Sequence, residues 1–557
     1  VDVGHRRQMD IAVEVPPSEL GPIATNEHWD EIYDRLAELA NQHRSTLVFV
    51  NTRRLAERVA LHLGERLGED AVAAHHGSMA RKLRLDAENR LKAGKIKLLV
   101  ATASLQLGID IGFVDLVCQL ESSRAIAVAL QRIGRAGHWR GAIPKGRLFA
   151  VTRDDLVECA ALIRSIHEGE LDRVIIPDCP LDILAQQIVA ECAGREQRSE
   201  SEQTGCHEDE LFALVRRAYP YRNLTRENFD RILAMLSEGI AAKRGRYGAY
   251  LHHDRVNKRL RARRGARMTA ITSGGAIPET ALFTVMSMPD GTVVGTVDED
   301  WAVESLAGDI FLLGNTSWRI QRIESARGRI LAEDAHGQPP NIPFWRGEAP
   351  ARTAELSSHV EMLRQCVSDL MGDMSPTEFT ASVTNDPTLA KRGRGWGTQQ
   401  WLKEHCGLDE SAGQQLIHHI LNGRAVLGEV PTQQTIIAER FFDEGGGMQL
   451  VIHAPFGGRI NKAWGLALRK RFCRSFNFEL QAAATDNGLN ISLAEQHSFP
   501  LADVFNFLQP ETVKEVLEQA VLTGSPIFQT RWRWDSNRSL ALLRFQAGKK
   551  VPPQIQR

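Results

Sequence analysis

The chain has 557 residues, 43% of them hydrophobic and 25% charged, with a formal net charge of −1. That length allows about three to four domains, and the near-neutral balance excludes a globally basic protein, so any surface for a polyanion must be local. No apolar stretch reaches the ~18–20 residues of a membrane span, and none of the eight cysteines forms a C-x-x-C pair, which argues against a zinc ribbon and points to a reducing, cytoplasmic setting.

The opening text, VDVGHRRQMDIAVEVP, reads as the interior of a fold, and the end, KKVPPQIQR, carries no terminal signal. Both suggest a piece of a longer protein. Five short apolar runs then predict buried strands: TLVFVN (46–51), AVAAHH (71–76), KLLVAT (97–102), DLVCQL (115–120) and RLFAVT (147–152). Leu55, Val59 and Leu63 recur at helical spacing, and 79–93 and 124–133 predict further helices. Strands separated by helices predict a parallel α/β sheet over residues 1–170.

Residues 180–240 predict three amphipathic helices, LDILAQQIVAECA, DELFALVRRAY and RENFDRILAMLSEG. Thr225 is placed to cap the third, with Glu227 in its first turn. REQRSESEQTG (195–205) reads as a polar, flexible surface insertion. Three helices followed by a strand pair predict a winged helix over 171–268. The glycine-rich text of 269–353 predicts a small barrel or sandwich. Residues 354–557 mix helices with strands such as MQLVIHAPF and ALLRFQA.

Four polar clusters interrupt the first part. VFVNTRR puts Asn51, Thr52 and Arg53 at a strand end, and HHGSM puts Gly77 and Ser78 where a strand gives way to a helix. Backbone N–H groups and a hydroxyl at a helix start suit a phosphate. ATASLQLGIDIG places Thr102, Gly108 and Asp110 at or beyond a third strand end, and QRIGRAGHWRG follows with Gln131, Arg132, Arg135 and His138. Each cluster alone could be a cap or a solvated turn. In an open α/β sheet, however, ligands sit outside the carboxyl ends of the strands, so all four should share one edge.

Together these motifs resemble the second RecA-like lobe of superfamily 2 helicases, and specifically the large helicase-related (Lhr) family. TLVFVNTRRLAERVA is similar to motif IV, LLVATASLQLGIDIG to motif V and QRIGRAGHWRG to motif VI. The likeness continues through ITSGGAIPE, VGTVDEDWAVESLAGDIFLLGNTSWRI, PFWRGE and HAPFGGRINKAWGLALRKRF, and so covers essentially the whole chain. It implies a multidomain α/β protein: a RecA-like parallel lobe, a winged helix, a β-rich barrel-like part and an α/β helicase-associated part. It implies an ATP-dependent helicase tracking single-stranded DNA 3′ to 5′ and unwinding DNA or RNA:DNA duplexes, with a role in DNA repair. Arg135 and Arg132 match arginines that reach the γ-phosphate of ATP, while Gly108, Asp110 and Gln131 fall in its nucleotide-binding motifs. Asn51, Thr52, Arg53, Gly77, Ser78 and Thr102 fall in motifs that hold the nucleic-acid backbone. His138 stands where many relatives have a third arginine, and no catalytic role is expected of it.

No G-x-x-x-x-G-K-[ST] phosphate loop occurs in the chain, and neither DEIY (30–33) nor DEDW (298–301) follows an apolar strand as a magnesium-binding motif should. The resemblance implies that ATP and Mg2+ are completed by an N-terminal RecA-like lobe upstream of this chain. The alternative is a non-catalytic nucleic-acid-binding module. A second basic concentration lies at 243–267, with ten Lys/Arg against Asp254 alone. Lys243, Arg244, Arg246, Lys258, Arg259 and Arg261, interleaved with Tyr247, Tyr250, His252 and His253, suit phosphates and stacked bases. A solvated linker is the bland reading of that run. Trp301, Trp318, Trp345 and Trp464 read as core anchors, and the His pairs at 252–253 and 418–419 lack metal spacing.

Overall fold

The computed structural model describes residues 8–106, 112–137, 141–196, 205–242, 245–277, 282–298, 301–302, 305, 307–313, 316–324, 327–335, 351–384, 393–442, 448–476, 481–493, 500–524, 526–542, 545–546 and 549–550. The chain divides into two compact units, one of residues 1–173, 283–323 and 329–520, the other of 174–282, 324–328 and 521–557.

The first unit is built on six parallel strands: β1 (Asp10–Glu14), β2 (Thr46–Phe49), β3 (Val72–His75), β4 (Leu98–Ala101), β5 (Leu116–Leu120) and β6 (Lys145–Phe149). Their order is β1-β6-β5-β2-β4-β3, and every neighbouring pair is parallel. β2 to β5 are buried along their whole length. That explains their nearly continuous apolar text, because helices cover both faces of such a sheet. Helices α1 (Asn26–Gln42), α2 (Arg53–Leu67), α3 (Arg81–Lys92) and α4 (Ile126–Ile133) lie in the connections between strands, and α5 (Arg153–Glu168) follows β6. In α2 the buried Ala56, Val59, Ala60 and Leu63 form one face at helical spacing. Thr52 caps that helix by accepting from Leu55 N at 3.1 Å.

The predicted strands fall where the apolar runs place them. β6 starts two residues before RLFAVT, because its whole length pairs with β1, from Asp10↔Lys145 to Glu14↔Phe149. Helices Ala354–Met371, Arg394–Cys406 and Glu410–Leu427 follow later in the chain. They share one core with β1, β6 and α5 through Leu363, Val367, Leu402 and Leu416. Arg352, 3% exposed, joins the lobe to the C-terminal sheet. Its guanidinium contacts Glu158 of α5 at 3.0 Å and donates to Ser357 Oγ, Asp486 O and Asn487 Oδ1.

Strands β7 (Cys206–His207), β8 (Ile240–Ala242), β9 (Gly245–Tyr247), β10 (Leu251–Asp254) and β11 (Arg259–Ala262) lie in the second unit with helices α6 (Leu181–Glu196), α7 (Glu208–Arg216), α8 (Arg226–Glu238) and α9 (Ala266–Ser273). β10 and β11 form an antiparallel hairpin, and β11 also pairs with β7. Three helices and this hairpin make a winged helix. Thr225 caps α8 as its sequence predicts, accepting from Asn228 N at 3.3 Å. Of the polar insertion, 197–204 lies outside the described residues. Helix Pro526–Arg538 belongs to the same unit, held to α6 by Gln186 donating to Arg538 O at 2.6 Å.

The glycine-rich text forms β12 (Leu282–Ser287), β13 (Val293–Asp298), β14 (Ile310–Leu313), β15 (Thr316–Glu324) and β16 (Arg329–Asp334). Among the described residues they make one five-stranded sheet, β13-β12-β16-β15-β14, with β13 and β14 at its ends. A four-stranded antiparallel sheet, β17 (Ile437–Phe442), β18 (Met448–His453), β20 (Gly488–Leu493) and β19 (Gln481–Ala484), packs with helix Gly458–Phe476 through Leu450, Ile452, Leu468 and Phe472. Among the described residues no helix is long and apolar enough to cross a membrane.

Arg352→Met keeps the volume but strands the carboxylate of Glu158, which should cost about 3–5 kcal/mol. Urea unfolding of the variant against the parent measures it.

Candidate functional site

The chain leaves β2 towards β3 on one side of the sheet and leaves β5 towards β6 on the other. β2 and β5 are neighbours, so the connections part there and open a crevice at the carboxyl ends, where such sheets hold ligands. Asn51 follows β2. Its amide donates to Ser122 O beyond β5 at 2.7 Å and to Glu121 Oε2 at 3.3 Å. Burial raises the pKa of Glu121, against the opposing pull of Arg124 and this amide.

Arg132, on the last turn of α4, points into this crevice and is 6% exposed. Its Nη1 donates to Gln119 Oε1 at 2.7 Å and to Asn51 Oδ1 at 3.2 Å, and its Nε to Gln106 Oε1 at 3.4 Å. The guanidinium carbon lies 5.2 Å from the centroid of the Phe49 ring, a cation–π arrangement. Burial pushes its pKa down to about 10, so it remains charged at neutral pH. Gln106 in turn donates to Gln131 Oε1 at 2.6 Å. One cation therefore gathers the ends of β2 and β5 and the turn after β4.

Arg135 stands one turn further on, half-buried, with its N–H donating to Arg132 O at 3.0 Å. Gly137 closes that turn at φ 61° and donates to Val114 O at 2.9 Å. A Cβ there would lie in the left-handed region and 3.1 Å from Ala142 Cβ. Gly108, Asp110 and His138 lie outside the described residues.

The second loop, His76–Ala80, follows β3. His76 and Glu57 are both fully buried and meet at 2.6 Å through Nε2. The other ring nitrogen of His76 accepts from Ser78 N at 3.3 Å. Ser78 is 1% exposed and its hydroxyl accepts from Arg53. Gly77 is exposed, and a Cβ on it would meet open space. Thr102, half-buried, donates from its N–H to His75 O at 3.3 Å and so adjoins the same loop. Burial lowers the pKa of His75, which contacts Ser104 Oγ at 2.8 Å and Glu88 at 3.0 Å.

The clusters thus come together along one edge, but Asn51, Ser78 and Arg132 turn inward while Thr52, Arg53, Gly77, Gln131 and Arg135 stay partly or fully exposed. Gln106, Gln119 and Glu57 escape the motif reading. Gln119 was detectable as the one polar residue in the apolar text LVCQL, and Glu57 as the acid on the buried face of α2.

In the basic stretch, Arg261 is exposed on β11 and Arg259 half-buried beside it, while Lys258, at φ 54°, turns the hairpin and contacts Asp209 at 3.4 Å. Arg246 lies on β9, and Lys243 and Arg244 lie outside the described residues. Of the four rings, His252 is exposed on β10, while Tyr250 and His253 differ from expectation. Tyr250 is buried with its hydroxyl donating to Leu540 O at 2.8 Å, and His253 contacts Glu208 at 2.9 Å. The Tyr250 ring belongs to the core beneath the hairpin, and His253 is held by its acidic partner. Trp301 packs on Phe311, Trp318 donates to Leu313 O at 2.9 Å, and Trp464 packs against the C-terminal core, as anchors do. Trp345 lies outside the described residues.

A parallel α/β lobe with its polar loops at one edge, followed in the chain by a winged helix, is the architecture of a helicase C-terminal lobe with accessory domains. Residues 27–140 match the helicase conserved C-terminal domain, 164–342 the winged helix domain of large helicase-related protein, and 430–557 the DEAD/H associated domain. The chain is 32% identical to the Lhr helicase/uracil glycosylase of Escherichia coli over 95% of its own length and 34% of that protein. It is 30% identical to the ATP-dependent helicase Lhr-Core of Sulfolobus acidocaldarius over 99% of its own length and 60% of that protein. The solved structure of Mycobacterium smegmatis helicase Lhr bound to ssDNA and AMP-PNP superposes with a TM-score of 0.72 at 30% identity. That superposition covers 99% of this chain and 62% of the other. The chain belongs to the Lhr helicase family and spans about a third to three-fifths of the length of these relatives.

Arg132→Met leaves the acceptors of Gln119 and Asn51 buried without a donor, at about 1–3 kcal/mol each. Thermal unfolding should show a clearly lowered Tm with secondary structure unchanged by far-UV circular dichroism.

Proposed function

We propose that this chain is the second motor lobe and accessory body of an ATP-dependent helicase that tracks single-stranded DNA 3′ to 5′ and unwinds DNA or RNA:DNA duplexes in DNA repair. The observation that carries the reading is the shared edge, where Arg132 ties the ends of β2 and β5 and the turn after β4 into one crevice. Its relatives are named as ATP-dependent helicases and as a helicase bound to ssDNA.

The exposed Gln131 and half-buried Arg135 fit the phosphate end of a nucleotide held between this lobe and one bearing the phosphate loop. ATP supplies the free energy of γ-phosphate hydrolysis, which the closing of two lobes converts into a step. Arg135 is the cation on that phosphate: a guanidinium neutralises charge that develops in the transition state and matches it bidentately, as a lysine does not. Arg132 supports it from below, and its own approach to a phosphate would require release from Asn51 and Gln119. Gly108 and Asp110 complete the nucleotide side by family resemblance. Among the described residues no group of three His, Cys, Asp or Glu could hold a metal, so Mg2+ is assigned no ligand here.

Thr52, Arg53, Gly77 and Thr102 face the nucleic-acid backbone, while Asn51 and Ser78, both buried, shape those loops rather than touch the strand. The wing, with Lys258, Arg259 and Arg261 and the preceding Lys243, Arg244 and Arg246, holds phosphates. A binding module without catalysis is the second reading, favoured by the missing phosphate loop.

Hydrolysis of ATP stimulated by DNA distinguishes the two. The chain alone should be inactive, and a phosphate-loop lobe supplied to it should restore activity. Arg135→Ala should then lower the restored rate by about 10³-fold or more, and an undiminished rate removes the arginine from the site. Replacing Arg259 and Arg261 by Ala should reduce the slope of log affinity against log salt on single-stranded DNA by about 0.7 per lost phosphate contact. An unchanged slope returns the wing to an ordinary solvated hairpin.

A further inference from the structure

The loop after β3 has a second attachment, outside the lobe. Residues 78–80 run along β13 of the five-stranded sheet. Thr296 N donates to Ser78 O at 2.6 Å, and Ala80 N donates to Val294 O at 3.3 Å. Met79 and Gly295 form an antiparallel bridge between them, and Thr296 Oγ1 adds a bond to Ser78 O at 3.4 Å. β13 ends its sheet, so its outer edge carries backbone groups in need of partners, and this loop provides them. A Cβ on Gly295 would stand 2.6 Å from Ser78 O and 3.0 Å from Leu313 Cδ2. The first contact is with backbone and cannot be relieved by a side-chain rotation. Glycine is required at 295 for close approach of another backbone.

From the inner side the same loop is held by His76 against Glu57, by Ser78 N on His76 and by Arg53 on the Ser78 hydroxyl. Gly77 projects between two anchored neighbours, exposed, with open space above its Cα. An exposed backbone without a side chain lets a phosphate oxygen approach closely, provided the loop cannot recoil.

We propose that Gly295 is a positioning residue for the nucleic-acid grip: by lacking a side chain it lets β13 brace the His76–Ala80 loop and hold Gly77 at the strand. The proposal rests on the reading of that loop as a contact to single-stranded nucleic acid. Its consequence is mechanical. The lobe and the β-rich sheet, which lie in one compact unit, share the grip through backbone hydrogen bonds, so a movement of the lobe carries the sheet with it.

Three measurements on the whole chain test this: affinity for oligo(dT) by fluorescence anisotropy across a salt series, hydrogen exchange at the Ala80 and Thr296 amides, and the same two readouts in second variants. Gly295→Ala should accelerate exchange at both amides and weaken oligo(dT) binding about tenfold, the worth of one charge-assisted hydrogen bond. The salt slope should stay unchanged, because no cation is lost. Thr296→Val, which removes only the hydroxyl bond, should give a smaller shift in the same direction. Leu313→Ala in the Gly295→Ala background relieves the 3.0 Å contact but not the one to Ser78 O, so it should restore neither readout. Recovery of affinity by Leu313→Ala, or parent affinity in Gly295→Ala despite faster exchange at Ala80, overturns the proposal. Failure of the parent chain to bind oligo(dT) at all overturns the underlying reading of the loop instead, and the exchange data then report the brace alone.

Discussion

A buried guanidinium organises the part of this molecule that chemistry can reach. Arg132 sits where β2 and β5 end side by side and their chains depart in opposite directions, and its donors join Asn51, Gln119 and Gln106 across three connections. Strand ends in a parallel sheet leave polar groups facing a crevice, and a fixed cation can satisfy several of them at once. The cost of burial shows in its pKa, drawn down to about 10. The Phe49 ring face and the carbonyl oxygens of Gln119, Asn51 and Gln106 offset it. Arginine suits the position because a planar fork can serve several acceptors at once.

Around that crevice the fold fastens its accessory parts by similar means. Arg352, buried like Arg132, joins α5 to the C-terminal sheet through Glu158, Asp486 and Asn487, and α5 shares its apolar face with helices Ala354–Met371 and Glu410–Leu427. The β-rich sheet attaches by backbone instead, at Ser78 and Ala80. Among the described residues, the turns after β2, β3 and β4 are therefore backed by a buried cation, by the His76–Glu57 pair or by a strand edge. Loops held in this way can present groups to a ligand without first paying the entropy of ordering.

Local rules made much of this legible. β2 to β5 could be read because strands buried on both faces need nearly continuous apolar text, and Thr225 because an N-cap hydroxyl works over three residues. The order of the polar clusters pointed to one edge, which the sheet topology supplies. The start of β6 was not legible, since Lys145 and Gly146 are strand by pairing with β1, about 135 positions away, and Gly146 also with Val117 of β5. The inward turn of Asn51, Ser78 and Arg132 was equally hidden. A polar residue at a strand end looks the same in text whether it faces solvent or a buried neighbour, and tertiary partners decide the matter, Arg132 for Asn51 and Gln119 and Arg53 for Ser78. Tyr250 illustrates the converse: placed among arginines it reads as a stacking ring, yet Leu540, 290 residues later, takes its hydroxyl.

The sequence by itself determined most of the elements of the first lobe, their alternation and the family, because helix caps, apolar periodicity and motif spacing are local properties of a chain, whereas β1 is strand by its pairing with β6. Which side chains face a ligand and which hold the frame was decided only in three dimensions. The reason is that exposure and hydrogen-bond partnership are settled between segments far apart in sequence. QRIGRAGH carries two arginines in equivalent-looking text, and only packing separates them, one drawn into the crevice by Gln119 and Asn51 and the other left half-exposed a turn beyond.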